Sequence, residues 1–193
     1  MELQTYEGSK LYRAAAILVL LCTLPFATSA SSIRTELMAK PEWQAAANEA
    51  AVDVLFIYAL TLVESMRYQG DNQQVAPSPF VIRSDVEGAK YFGTKAEAHA
   101  AIEQYFLSYP DGSLDIGPAQ INTRYHGHRV EKLTDLLDLG TNLKIAGQIL
   151  AENMKTADSL FQAVGRYHTW ADQDRATDYA DKVFRIYRNL LNV

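Results

Sequence analysis

The sequence predicts a mainly α domain (an α+β chain with little β), and three observations predict it. Apolar residues recur at helical spacing along most of the chain beyond residue 40. Capping residues open these segments, and Gly, Pro or Asn follow them. Only Val75 to Phe92 breaks the pattern. There Pro77 and Pro79 exclude helix, and two short apolar runs flank a turn.

At 193 residues the chain has the length of one domain. Its 48% hydrophobic and 21% charged residues exclude a disordered or collagen-like protein. Lys and Arg total 18 against 23 Asp and Glu, a net charge of -5. That balance argues against a broad nucleic-acid footprint, so no nucleic-acid partner is expected. The single cysteine, Cys22, excludes an internal disulfide framework and a Cys-rich zinc site.

Residues 1–30 read as a secretory signal peptide. Lys10 and Arg13 precede an apolar run from Ala14 to Cys22 that continues to Ala27. Thr28-Ser29-Ala30 then supplies the small residues of a cleavage site, with the cut expected near Ala30. The uncharged run is shorter than the roughly 20 residues of a membrane span. The other reading is an uncleaved anchor, which would hold the protein at the inner membrane. Lys10 and Arg13 leave together with Glu2 and Glu7, so the mature net charge stays at -5. Residues 31–193 then form one domain, long enough to bury roughly 70% of its unfolded surface. The address implies an envelope protein, exported to the periplasm.

Within that domain, the first helix is expected from about Pro41 to Arg67. Val52, Leu55, Phe56, Ala59, Leu60 and Val63 form its apolar stripe, and Tyr68 to Asn72 its stop signal. Phe80-Val81-Ile82 and Ala89 to Phe92 read as a β-hairpin around Ser84 to Gly88. Thr94 to Glu97 is a capping box for a helix burying Ala98, Ala101, Ile102, Tyr105 and Phe106. Leu114 to Val130 reads as irregular, and a short helix is expected around Glu131 to Leu137. Thr141 or Asn142 would cap the next helix, with Leu143, Ala146, Leu150 and Met154 inward. Thr156 or Asp158 would cap one reaching about His168. Asp172 or Asp174 would cap the last, with Ala176, Tyr179, Ala180, Val183, Tyr187 and Leu190 inward.

Glu64 is the first candidate for chemistry. It follows Leu60 by four residues, at the edge of the stripe and near the helix C-terminus. Apolar neighbours and the negative helix end both disfavour a charged carboxyl and raise its pKa. Such a group can act as a general acid near neutral pH, as glycoside cleavage requires. On periodicity alone, an exposed glutamate at the end of the stripe is the plainer reading.

The second candidate is the loop Gly117-Pro118-Ala119-Gln120-Ile121-Asn122. Its glycine permits close backbone approach, and Gln120 and Asn122 can read hydroxyl and acetamido groups. A plain surface loop fits it equally. Three histidines, His126, His128 and His168, are a weak metal set without HExxH or a spaced acidic ligand. Asp111 to Ile116 opens like a calcium loop, but Ile116 stands where glycine is required. Neither a G-x-S-x-G nor a nucleotide-binding glycine pattern occurs. No metal or cofactor is expected, and no second catalytic carboxylate is marked by spacing.

The order of these pieces resembles the lysozyme-like lytic transglycosylases, above all those of conjugation, pilus and type IV secretion systems. The family's catalytic Glu-Ser is matched by Glu64-Ser65, and its Gly-Leu-Met-Gln-Ile loop by Gly117 to Asn122. Asn142-Leu143 matches its Asn-Leu helix, and Ala163 to His168 its Ala-x-x-x-Tyr-Asn element. Tyr179 and Val183 match a spacing in its closing helix. The likeness covers about Ala50 to Leu191. Pro118-Ala119 departs from Leu-Met, and His168 stands in place of Asn.

The resemblance implies a lysozyme-like helical domain with a small β-hairpin insertion. It implies peptidoglycan as substrate, and secretion or conjugation proteins as partners. It makes Glu64 the catalytic acid and then base, forming 1,6-anhydromuramic ends. Ser65, Gly117, Gln120, Asn122, Tyr167 and His168 would bind the sugar or hold Glu64. A hydrolytic muramidase on the same fold, or a non-catalytic wall-binding assembly subunit, are the alternatives.

Overall fold

The computed structural model describes residues 30–69 and 74–192. The leader expected over 1–30 lies, but for Ala30, outside the described residues, as do Gly70-Asp71-Asn72 of the stop signal. In chain order the helices are α1 (Ala30–Met38), α2 (Pro41–Glu49), α3 (Val54–Ser65), α4 (Lys95–Ser108), α5 (Thr123–His126), α6 (Leu139–Met154), α7 (Leu160–His168) and α8 (Gln173–Leu191). The strands are β1 (Met66–Gln69), β2 (Gln74–Pro77), β3 (Val81–Ser84), β4 (Gly88–Tyr91), β5 (Asp115–Ile116) and β6 (Ile121–Asn122). The fold class is mainly α with some β.

The helix expected from Pro41 to Arg67 is two helices, α2 and α3, meeting at 97°. Ala51 adopts a positive φ of 52°, which no helix accommodates. The Asp53 carboxylate then accepts the Leu55 N–H and starts α3 afresh. Asp53 also pairs with Arg34 of α1, which ties the break to the preceding helix. The single stripe is also corrected. Nine of the 12 residues of α3 are buried, so it is apolar all round and runs through the centre of the domain. Leu55, Phe56 and Leu60 pack with Val183 of α8 and Leu150 of α6 in one cluster.

The expected hairpin is present as β3 and β4, paired from Val81↔Tyr91 to Ser84↔Gly88. It belongs to a larger sheet of order β4-β3-β5-β6. Leu114 to Val130, read as irregular, supplies β5, β6 and the short α5. A second hairpin, β1 with β2, forms where the sequence suggested only a helix stop. Its short polar strands carry too little apolar alternation to be legible.

Side-chain alternation gives the four-stranded sheet two unlike faces. Ile82 lies opposite Ile116, which lies opposite Ile121, and all three are buried. They join Ala98, Ile102 and Tyr105 of α4 and Ile145 and Ile149 of α6 in a second core cluster. The neighbouring row, Arg83 opposite Asp115 opposite Asn122, faces the other way.

The helix ends follow local chemistry. The Thr94–Glu97 capping box forms with both reciprocal hydrogen bonds. Asp138, rather than Thr141 or Asn142, caps α6, because its carboxylate reaches the Thr141 N–H. Ser159, rather than Thr156 or Asp158, caps α7. Asp172 caps α8. The short helix expected over Glu131 to Leu137 is a 3-10 helix over Leu133–Leu137. Met154, expected inward, is 38% exposed in the last turn of α6, past the packed part of that helix.

Asp53→Ala removes the α3 cap and the Arg34 pair together. We expect a loss of about 1–2 kcal/mol in urea unfolding, since a lost cap alone costs about 1 kcal/mol.

Candidate active site

Glu64 lies in the last turn of α3, and its carboxyl opens into a cleft of about 240 Å³. Gln120, Asn122, Tyr167 and His168 line the same cleft, as do Arg83, Asp115, Tyr125 and His126. The fold therefore brings together four of the six residues expected around Glu64. Of the histidines proposed as a weak metal set, His126 and His168 line the cleft and His128 does not.

Ser65 and Gly117 do not line it. Ser65 is 1% exposed, and its hydroxyl sits 2.8 Å from the Pro118 carbonyl oxygen and 3.1 Å from that of Thr61. It fastens the end of α3 to the loop instead of meeting a ligand. Gly117 acts through its backbone. At φ +77° it turns the chain, and a Cβ there would meet the Asn142 Nδ2 at 2.4 Å.

Asn142 holds this turn. Its carboxamide accepts the Ala119 N–H at 2.9 Å and donates to the carbonyls of Ile116 at 2.8 Å and Leu136 at 2.9 Å. The Tyr167 hydroxyl closes the turn from the other side by donating to the Ala119 carbonyl at 2.9 Å. Gln120 is held at a positive φ of 48° with its Nε2 donating to the Gly117 carbonyl. Its Oε1 is buried and has no hydrogen-bond partner among the described residues. Asn122 caps α5, accepting the Arg124 and Tyr125 N–H groups, and donates to Asp115 at 2.8 Å.

The hydroxyl that reaches Glu64 is that of Tyr179, which donates to Oε1 at 2.5 Å. The sequence placed Tyr179 inward on α8 but gave it no role toward the acid. The rings of Tyr167 and His168 both stack on Tyr179, at 6.5 Å and 4.9 Å. Burial pushes the Glu64 carboxyl up to about 7, with Asp115 adding to the rise. The Tyr179 hydrogen bond and Arg83 act against it. Burial also raises Asp115, opposed by the Asn122 hydrogen bond and by Arg83. Tyr167 and Tyr179 are pushed well above the usual phenol range by burial and by Glu64, so both stay protonated donors.

Asp115 and Arg83 were missed in the sequence. Asp115 is two residues before Gly117, yet only the pairing of β3, β5 and β6 turns it toward Glu64's cleft.

No family model matches the chain, and neither the curated proteins nor the solved structures searched contain a match to it.

Two predictions concern Glu64. Its folded pKa of about 7 lies above the ordinary 4.5, so the folded state binds the proton more tightly. The resulting stabilisation is complete below pH about 4.5 and is lost as pH rises through about 7. Glu64→Gln should flatten this decline and leave the protein up to about 3 kcal/mol more stable than the parent at alkaline pH. Urea unfolding across pH measures it; Asp115 keeps a residual slope of the same sign in both proteins. Tyr179→Phe removes a bond to the ionised form, so the Glu64 pKa should rise further, as read by carboxyl NMR titration.

Proposed function

We propose that the protein is a peptidoglycan lytic transglycosylase with a lysozyme-like fold, acting in the periplasm. The observation that carries the reading is Glu64, a carboxyl whose pKa lies near 7 at the wall of an open cleft. A group so placed is protonated often enough to donate and basic enough to take a proton back. Three further features support it. Gln120 lines the cleft and keeps an unpaired, buried acceptor, which a small turn of its side chain would offer to a sugar hydroxyl or acetamido N–H. Tyr179 fixes one carboxyl oxygen and leaves the other to act. Ordered motifs from Glu64-Ser65 to Tyr167-His168 resemble those of the family.

In the reaction, the glycan lies in the cleft with a MurNAc–GlcNAc bond at Glu64. Glu64 gives its proton to the bridging oxygen as the muramoyl C1–O bond breaks, and GlcNAc leaves with a 4-hydroxyl. The muramoyl C6 oxygen then bonds to C1, and its proton passes to the Glu64 carboxylate. The acid is regenerated, a 1,6-anhydro ring is formed and no water is consumed. Because the nucleophile is internal, one carboxyl suffices.

Asp115 favours a second reading. It is a second carboxyl in the same cleft, and a hydrolytic muramidase uses one to activate water. Secretion or conjugation machinery remains the partner class that the motif likeness favours.

Digestion of purified sacculi, with products read by mass spectrometry, is the test. Anhydro-muropeptides are expected from the parent, and Glu64→Gln should be slower by about 10²–10⁴-fold, the usual worth of a general acid. Reducing muramic ends, with loss of activity in Asp115→Asn, would replace the transglycosylase by the hydrolase. Absence of any product from a folded parent protein would favour the non-catalytic wall-binding subunit.

A further inference from the structure

The cleft continues past Glu64 into a hollow of about 370 Å³, and Glu64, Arg83 and His168 line both. The hollow adds Arg175, Asp178 and Lys182 from α8. A further depression of about 270 Å³ shares Glu64, Arg83 and Lys182 and adds Arg185. Four cations thus border one continuous surface, against three carboxyls, Glu64, Asp115 and Asp178. All four are exposed, and none forms an ion pair among the described residues.

This is the reverse of the whole chain, which carries a net charge of -5. The grouping follows from helix geometry. Arg175 precedes Tyr179 by four residues and Lys182 follows it by three, so both flank, on one face of α8, the hydroxyl that binds Glu64. Arg83 reaches the same place from β3. Their field is felt at His168, whose pKa is lowered by burial and then by Arg175, Lys182 and Arg83, with Asp172 opposing. Unpaired cations beside a reacting carboxyl suit an anionic ligand group.

We propose that this cationic hollow binds a carboxylate carried on the lactyl arm of the muramoyl residue adjoining the cleaved bond. The inference rests on the wall-glycan reading and adds to it a basis for substrate choice. The carboxylate has two chemical sources. A strand bearing peptides offers those of the stem, and a strand stripped of peptide offers the lactyl carboxylate itself. Chitin oligosaccharides have the same backbone and neither anion. The hollow therefore selects muramoyl glycan over chitin by charge, leaving the Gln120 side of the cleft to read the sugar.

Binding to the intact Glu64→Gln protein tests this without turnover. The probes are a peptide-bearing GlcNAc–MurNAc tetrasaccharide, its amidase-trimmed counterpart and chitotetraose. At low salt the carboxylate-bearing probes should bind at least about fivefold tighter than chitotetraose, and high salt should erode the difference. Preference for the trimmed probe alone assigns the lactyl carboxylate, preference for the peptide-bearing one alone assigns the stem, and preference for both assigns a hollow that accepts either carboxylate. Adding Arg175→Gln with Lys182→Gln, the two α8 cations of the hollow, should bring the ratio to chitotetraose near one, and Asp178→Asn should raise it. Equal binding of all three probes, or a preference that survives the double substitution, overturns the proposal and leaves the wall-glycan reading standing. Failure of all three to bind a folded protein overturns both.

Discussion

The site depends on one buried carboxamide. Asn142 is 0% exposed and spends three hydrogen bonds on the turn between β5 and β6 and on the 3-10 helix before α6. A buried amide left unpaired is costly, so each of these bonds fixes its partner's position. The turn in question holds Gly117 against Asn142 and forces Gln120 into a positive φ. Ser65 and Tyr167 seize the same turn at Pro118 and Ala119. Three elements, α3, α6 and α7, thereby agree on the place of one loop, and Glu64 stands next to the residue that makes the first of those bonds.

The electrostatics of Glu64 follow from where α3 runs. A helix buried on nearly all sides carries its penultimate residue out of water, so the carboxyl resists ionisation. The cleft beside it leaves the side chain half-buried. Arg83 and the Tyr179 hydroxyl moderate the rise and keep the group near 7. Asp115 pushes the other way from the facing sheet. Proton affinity at Glu64 is thus set by three elements, α3, α8 and the β-sheet, and by no local sequence feature alone.

Much of the site was legible because its residue types are unusual in their setting. Glu64 interrupts an apolar helix, and Gly117, Gln120 and Asn122 form a compact polar loop. Tyr179 was legible as an inward residue but not as the partner of Glu64, since the two are separated by 115 positions in the chain. Asp115 and Arg83 lie on short strands whose mutual register no periodicity in the sequence reveals. Ser65 was expected to bind the sugar or hold Glu64 because Glu64-Ser65 resembles a family's Glu-Ser pair. On a helix, adjacent residues point about 100° apart, and this one turns to the interior.

The sequence by itself determined the mainly helical class, the β3–β4 hairpin and the α4 capping box, and it singled out Glu64 as a carboxyl at the edge of an apolar stripe. Each is a local matter of periodicity, turn chemistry or a capping side chain, written within a few consecutive residues. Tertiary structure alone decided that the chain breaks at Ala51, that Asp138 and Ser159 make the caps, and that Arg83, Asp115 and Asn122 align in one row. It also gathered Arg83, Arg175, Lys182 and Arg185 around the cleft of an otherwise acidic protein. These depend on strand register and helix packing, which couple residues far apart in the chain and leave no pattern in the sequence between them.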